Sequence, residues 1–527
     1  MSASREKKIR RELAEQGIPD IKEIRAVEER KQQRRANILY GSVAAVFVVV
    51  AAALLIWNSN IIQRSSTAIS VDGEKYSAAE VGYFYHNAIQ AASNSQYASY
   101  LSLDTSSSLS QQVMSDMDLM FMGAELPEGK EEMTWHEFFM DTAKNELTLL
   151  TMAKKGAEAA GMTFTEEMQT EADAALESIG AYATANGMTT SAYLKAMFGN
   201  NITEKIFTDL LKDSILASHF QQDYIDSLEY SADDLQKYYE ENKSAFDVVD
   251  YEYIYFKGVA SSTTDADGNT VAATDEENAA AKAAAEKAAN DALAQYQSGT
   301  PLEKIAKTYD DIATYYDLEE QTYYGDTVST WLFDESRKAG DTEVLNSGSS
   351  YYLVVFHDRA RLDYNTINVR HILAKVDASK LDTESEEYES QLQVLIDEQK
   401  VRAEGILNEW KSGAATEDSF AELASKSDDT GSVANGGLYE QVAKGDMVQP
   451  FEDWCFDESR KAGDTGIVFV EATNYTGFHV MYFVGEDAPY WELQATNAMT
   501  NRDYAEWSAS LIEGVEAEEH SGMKYVG

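Results

Sequence analysis

A twelve-residue segment occurs twice in this chain, as WLFDESRKAGDT at 331–342 and as WCFDESRKAGDT at 454–465, with a single difference. Chance does not produce such a match, so the chain contains an internal duplication, and each copy must be a folding unit. The same order of patterns surrounds both copies. An apolar strand comes first (YEYIYFK, 251–257; NVRHILAK, 368–375), then a long helix, then a helix ending in Asp-Asp (Asp310 and Asp311; Asp428 and Asp429). After the repeated turn each copy closes on a strand, YYLVVFHD at 351–358 and GFHVMYFVGE at 477–486. This predicts two α+β domains in tandem, over 246–362 and 363–487, each a small antiparallel sheet with helices.

Upstream, residues 65–245 carry helical apolar spacing broken by short polar stretches, as in WHEFFMDTAKNELTLLTMAKKGAEAAG, and predict a mainly helical domain. AISVDG at 68–73 reads as a strand and turn, with a helix over 74–81. SADDLQKYYEENKSAF at 231–246 reads as a capped helix leading into the next unit. Residues 488–527 hold a further helix and an apolar end, expected to return to the helical domain.

Residues 38–57 (ILYGSVAAVFVVVAAALLIW) are 20 consecutive uncharged residues, which at about 1.5 Å rise each match a hydrocarbon core of about 30 Å. Arg34 and Arg35 precede the run and Trp57 ends it, predicting a single span with residues 1–37 in the cytoplasm and the rest outside the cell membrane. A cleaved secretory signal is the rival reading. It fits less well, because the basic lead is long, the apolar run exceeds a usual signal core, and no A-x-A site follows.

The net charge is −48, made up of +4 over residues 1–37 and −52 over the remainder. A field of that sign repels nucleic acid and anionic headgroups, so nucleic-acid binding is not expected. Cys455 is the only cysteine, which excludes an intrachain disulfide and a multi-cysteine zinc site, and it reads as a small buried hydrophobe. The seven histidines show no HExxH spacing, and DADGNT at 265–270 only faintly echoes a calcium loop. No metal and no cofactor is expected.

The second copy resembles the parvulin family of peptidyl-prolyl cis/trans isomerases over nearly its whole length, in NVRHILAK, FAELASKSDD, GGLYEQVAKGDMVQPFEDWCF, the AGDTG turn and GFHVMYF. The overall arrangement is also similar to extracytoplasmic foldases of the PrsA and SurA kind. The resemblance implies catalytic roles for His371, Asp428 and His479, with Asp429 as the adjacent register for the acidic position. It implies an apolar wall for the proline ring at Met447 and Phe451, with Leu438 and Phe478 as neighbours, and a chain turn at Gly436 and Gly437. The first copy has Tyr253 for His371, Tyr352 for His479 and GDTVST (325–330) for DMVQPF, and is expected to be inactive. The implied partners are unfolded or partly folded exported polypeptides, handled either as isomerase substrates or, in a non-catalytic alternative, by a holdase.

Overall fold

The computed structural model describes residues 48–50, 60–127, 129–264 and 270–526. The apolar run at 38–57 lies outside the described residues except for Val48–Val50, and most of DADGNT lies outside them too. Among the described residues no helix is long and apolar enough to cross a membrane. The chain forms two compact units: one ends at Leu228 and is completed by Asp503–Gly527, and the other is Glu229–Arg502.

In the first unit a short helix α1 (Ile61–Ser65) precedes the hairpin of β1 (Thr67–Val71) and β2 (Glu74–Ser77). Asp72 and Gly73 make the turn at φ of 45° and 84°, the left-handed conformations that tight hairpins use. Helices α2 (Ala78–Ser93), α3 (Asp116–Met122), α4 (Trp135–Ala159), α5 (Glu166–Ala185), α6 (Thr190–Phe198) and α7 (Glu204–Asp226) follow. The helix expected over 74–81 starts later. Ser77 caps Glu80 N–H while the Glu80 carboxylate accepts from Ser77 N–H, a reciprocal cap that sets the first turn at Ala78 and leaves Glu74–Ser77 to the strand. Helix α4 buries Trp135, Phe139, Ala143, Leu147 and Leu150, whose three- and four-residue spacing makes one apolar face.

The second unit opens on α8 (Ala232–Glu241), grouped with the helical domain at sequence level but packed by Leu235 against Phe246 and Trp491. The first repeat then runs β3 (Asp247–Phe256), a ribbon of β4 (Thr263–Thr264) and β5 (Thr270–Val271), α9 (Asp275–Gln297), α10 (Leu302–Ala306), β6 (Ala313–Gln321), α11 (Thr327–Leu332), β7 (Thr342–Ser347) and β8 (Ser350–Arg361). The second runs β9 (Asn365–Lys375), α12 (Tyr388–Ser412), α13 (Glu417–Leu423), β10 (Leu438–Val442), α14 (Gln449–Cys455), β11 (Thr465–Glu471) and β12 (Thr476–Pro489). The two sheets have the same antiparallel order, β6-β3-β8-β7 and β10-β9-β12-β11.

The repeated turn is built identically in both. Gly340 N–H donates to Phe356 O and Gly463 N–H to Phe483 O, each at 2.8 Å. Arg337 lies over Trp331 at 4.4 Å and Arg460 over Trp454 at 4.0 Å.

In the second repeat the strand period of two sorts the sheet's side chains into two cores. Ile372, Ala374, Phe478 and Val480 meet Ile406, Trp410 and Phe420 of α12 and α13, while Val369, Met481 and Phe483 meet Phe451 and Cys455 of α14. The buried environment of Cys455 pushes its thiol up to about 12, which suits an inert core residue.

Helix α15 (Tyr490–Ile512) begins in the second unit and ends in the first, and β13 (Ala517–Glu519) then pairs antiparallel with β1. Val526 closes the return within the core of the helical unit, 7% exposed. Deleting Ala517–Gly527 removes a strand and this core residue, and is expected to lower that unit's stability by about 2–4 kcal/mol. Urea unfolding of the full chain checks this, and an unchanged midpoint would mean that the tail is dispensable.

Candidate active site

Strands β9 and β12 pair with His371 opposite Met481 and His479 opposite Leu373. The two histidines are therefore diagonal neighbours on one face, the face that carries α14. Both are buried, at 2% and 5% exposure, and their Nδ1 atoms stand 3.1 Å apart. His371 Nε2 lies 2.9 Å from Asp429 Oδ2, and Tyr475 OH lies 3.0 Å from His479 Nε2. Asp429 Oδ2 also accepts from Ser432 Oγ at 2.6 Å and from Tyr439 OH at 2.9 Å.

These distances admit one consistent set of protons, assigned from the network. Burial lowers the affinity of both imidazoles for a second proton. His371 is pulled down despite Asp429, and His479 falls to about 3 through burial and the neighbouring His371. Burial raises Asp429, but the bonds from Ser432 and Tyr439 and the nearness of His371 outweigh it, so the carboxyl stays below its ordinary range and ionised. An ionised Asp429 only accepts, so His371 carries its proton on Nε2 and presents a bare Nδ1. His479 must then donate through Nδ1, which leaves its Nε2 to accept from Tyr475. The result is a directed chain, Tyr475 to His479 to His371 to Asp429. Tyr439, raised to about 12 by burial and by its bond to Asp429, stays a donor.

The structure differs from the sequence reading at three residues. Asp428 lies outside the network: it faces Arg402, whose Nη2 is 3.1 Å from Oδ1, and accepts from Lys375 N–H at 2.9 Å. The loop is pinned to β9 here, with Asp428 N–H donating to Leu373 O and Leu373 N–H donating to Ser427 Oγ, each at 2.9 Å. Neighbouring carboxylates leave this pinned segment in opposite directions, and the inward one is Asp429. Phe478 directly precedes His479 on the strand, so it faces the α12 and α13 core. Leu438 pairs across strands with Arg370 and shares that opposite face, while Tyr439 takes the histidine side and stacks on His371 at 4.8 Å and 17°.

Phe451 and Met447 lie on the histidine side. Phe451, 2% exposed, turns its ring edge-on to His371 at 5.8 Å and to His479 at 5.4 Å, and Met447 packs half-buried on the same core. Gly436 and Gly437 have φ of 71° and 72°, and a Cβ on Gly437 would stand 2.3 Å from His371 O, so only glycine lets β10 approach β9 here. Ser432, Tyr439 and Tyr475 escaped the sequence reading. The Asp-x-x-Ser spacing of 429–432 was a local signal for the first, whereas nothing local marks the tyrosines. Among the described residues no cluster suited to holding a metal ion occurs.

In the unfolded chain His479 takes up a proton near 6.5, and in the folded domain only near 3. Between those values the unfolded state binds more protons, so the stabilisation is complete above 6.5 and is lost as pH falls toward 3. Thermal unfolding should show a decline in melting temperature from pH 7 to about 5, above the range where most carboxylates titrate. His479→Gln, which cannot titrate, should flatten that decline, and an equal slope in both proteins would refute the assignment.

Comparison with known proteins bears on this domain. Residues 351–483 match a family model described as PPIC-type PPIASE domain (Rotamase_3). No curated protein matches the chain. Among solved structures, the peptidylprolyl isomerase PrsA of Bacillus anthracis is 19% identical, with a TM-score of 0.18, over 29% of this chain and 58% of that one. The foldase protein PrsA of Streptococcus pneumoniae is 11% identical, with a TM-score of 0.15, over 57% of this chain and 92% of that one. That of Lactococcus lactis is 13% identical, with a TM-score of 0.17, over 70% and 97%. The match thus spans little more than half of the Bacillus anthracis protein. Residues 351–483 thus form a domain of the PPIC-type, or parvulin, peptidyl-prolyl cis/trans isomerase kind.

Proposed function

We propose that the chain is a membrane-anchored, extracytoplasmic folding factor whose second repeat accelerates cis/trans exchange of X-Pro bonds in exported polypeptides. The observation that carries this reading is the directed chain Tyr475–His479–His371–Asp429 lying beside the Phe451 and Met447 wall. The uncharged run at 38–57 behind Arg34 and Arg35, with the acidic remainder beyond it, supports the location.

Rotation about a peptide bond faces a barrier of about 18–20 kcal/mol from amide resonance, and no bond breaks. A catalyst therefore has only to bind the twisted amide better than the planar one. The apolar wall takes the proline ring and excludes water from the amide, which weakens the charge separation that resonance needs. The imidazoles are neutral and mutually satisfied, so neither is poised as a nucleophile. Their part is to keep a dry, fixed polar floor beneath the wall, with Asp429 holding His371 in one tautomer.

Exchange of a short X-Pro peptide, followed by NMR with the full chain in detergent, tests this. His371→Ala, Met447→Ala and Asp429→Asn should each lower kcat/KM by about tenfold or more, and Asp428→Asn should stay within about threefold of wild type. A folded wild-type chain without acceleration would overturn the reading.

A holdase reading has its own support in the helical unit. Tyr97 stacks on Phe121 at 5.0 Å, and Tyr100, Met117 and Met120 beside it are 63%, 53% and 66% exposed. Flexible methionines with aromatic neighbours adapt to many apolar partners. Met117→Ser with Met120→Ser should weaken suppression of aggregation of a denatured client and leave X-Pro exchange unchanged, and unimpaired suppression would exclude this surface.

A further inference from the structure

The first repeat keeps the sheet of the second and replaces its site with tyrosines. Strand register shows the replacement position by position. Tyr253 pairs with Val354 as His371 pairs with Met481, and Tyr255 pairs with Tyr352 as Leu373 pairs with His479. Tyr253 and Tyr352 therefore occupy the two histidine positions, with ring centroids 5.8 Å apart against 5.2 Å for the histidines. Tyr253 also stacks on Tyr316 at 4.8 Å and 17°, the geometry in which His371 stacks on Tyr439, and on Tyr251 at 5.7 Å and 19°.

The wall above this row has changed as well. Counting back without a gap from the shared tryptophan of the repeated turn sets YYGDTV (323–328), two residues earlier than the expected GDTVST, against DMVQPF, so Phe451 corresponds to Val328 and Met447 to Tyr324. The smaller Val328 leaves the row less covered than the histidines are. Tyr251, Tyr253 and Tyr352 are half-buried, and Tyr316 and Tyr324 are 41% and 73% exposed. No imidazole lies in the row, so the directed proton chain of the second repeat has no counterpart.

We propose that the first repeat is a non-catalytic docking site for proline-containing extended segments of the same clients, seated on Tyr251, Tyr253, Tyr316 and Tyr352. This rests on the reading that the second repeat binds X-Pro peptides. Chemistry and position argue for that occupant together. The stacked row presents ring edges and the exposed ring of Tyr316, an aromatic surface of the kind that seats the proline rings of a preformed polyproline II helix, whose ordering cost is already met. The row also occupies the positions of the floor that lies beneath the sibling domain's proline wall. A client held there can offer successive X-Pro bonds to the second repeat at raised effective concentration.

Calorimetric titration of the full chain in detergent with an alternating Ala-Pro peptide tests this, with an alternating Ala-Gly peptide as control. The expected result is two peptides per wild-type chain and none for Ala-Gly. Tyr253→Ser with Tyr316→Ser should leave one, and His371→Ala with Met447→Ala should leave the other. Tyr316→Ser alone, at an exposed edge position, should weaken the first-repeat site by about tenfold without threatening the fold. Tyr253→Phe keeps the ring and should keep both sites, and short-peptide exchange should be unchanged in every tyrosine variant. One peptide per wild-type chain, lost with His371 and Met447, would overturn the proposal, as would two that survive the tyrosine substitutions. Two peptides that survive His371→Ala with Met447→Ala would instead refute the assigned role of the second repeat.

Discussion

The site of the second repeat depends on one half-buried carboxylate. Asp429 accepts from His371, Ser432 and Tyr439, and through His371 it fixes the tautomers of both histidines. Leaving a buried polar group without its partner costs about 1–3 kcal/mol, more when the group is charged, so such a network holds only if every member is satisfied. Here the satisfaction is supplied from five separate places: β9, β12, the loop after α13, the start of β10 and, through Tyr475, the turn before β12. A single ionised oxygen thereby ties the centre of the sheet to its edge and to the loop that crosses it. The apolar wall of α14 gains a rigid partner, because a histidine held in one tautomer and one orientation gives Phe451 a fixed surface to pack against.

Much of the arrangement was legible in the sequence for the same physical reasons that make it fold. The duplicated turn announced two equal domains, and the two sheets share one strand order. His371 and His479 could be placed on neighbouring central strands, and the structure puts them within hydrogen-bonding distance. Phe451 and Met447 lie on the histidine face. What escaped was direction rather than position. Leu438 and Phe478 are each one residue away from the site face, and in a strand one residue is a whole face. Between Asp428 and Asp429 composition cannot choose, since the decision rests on Arg402 drawing one outward and on Ser432 and Tyr439 receiving the other. Those partners lie up to 26 residues away in the chain and meet the pair only after folding. The hairpin before α2 and the transfer of α8 to the second unit have the same origin. In the first case the cap at Ser77 overrides a broad helical pattern, and in the second Trp491, far along the chain, gives α8 its packing partner.

The first repeat shows how much of such a domain is scaffold. Its sheet order, strand register and turn survive without a single histidine at the site positions, and a tyrosine at 253 stacks on its neighbour as His371 does. Stability in this fold is set by the two apolar cores and the shared turn, and the polar floor is an addition to them. That separation leaves the site face free to diverge while the domain continues to fold.

The near-identity of the two turns also bears on assembly. In each copy the turn hands one strand to the sheet through the same glycine hydrogen bond and the same arginine over tryptophan. Two interchangeable pieces in one chain invite exchange between copies, a characteristic failure of tandem repeats. Synthesis from the N-terminus offers a safeguard. The first sheet has all four strands by Arg361, before any of β9 has been made, so its central pairing is closed when the competing turn emerges. Only one short linker, 362–364, separates β8 from β9, so an exchange of strands between the copies would have to precede the closing of the first sheet.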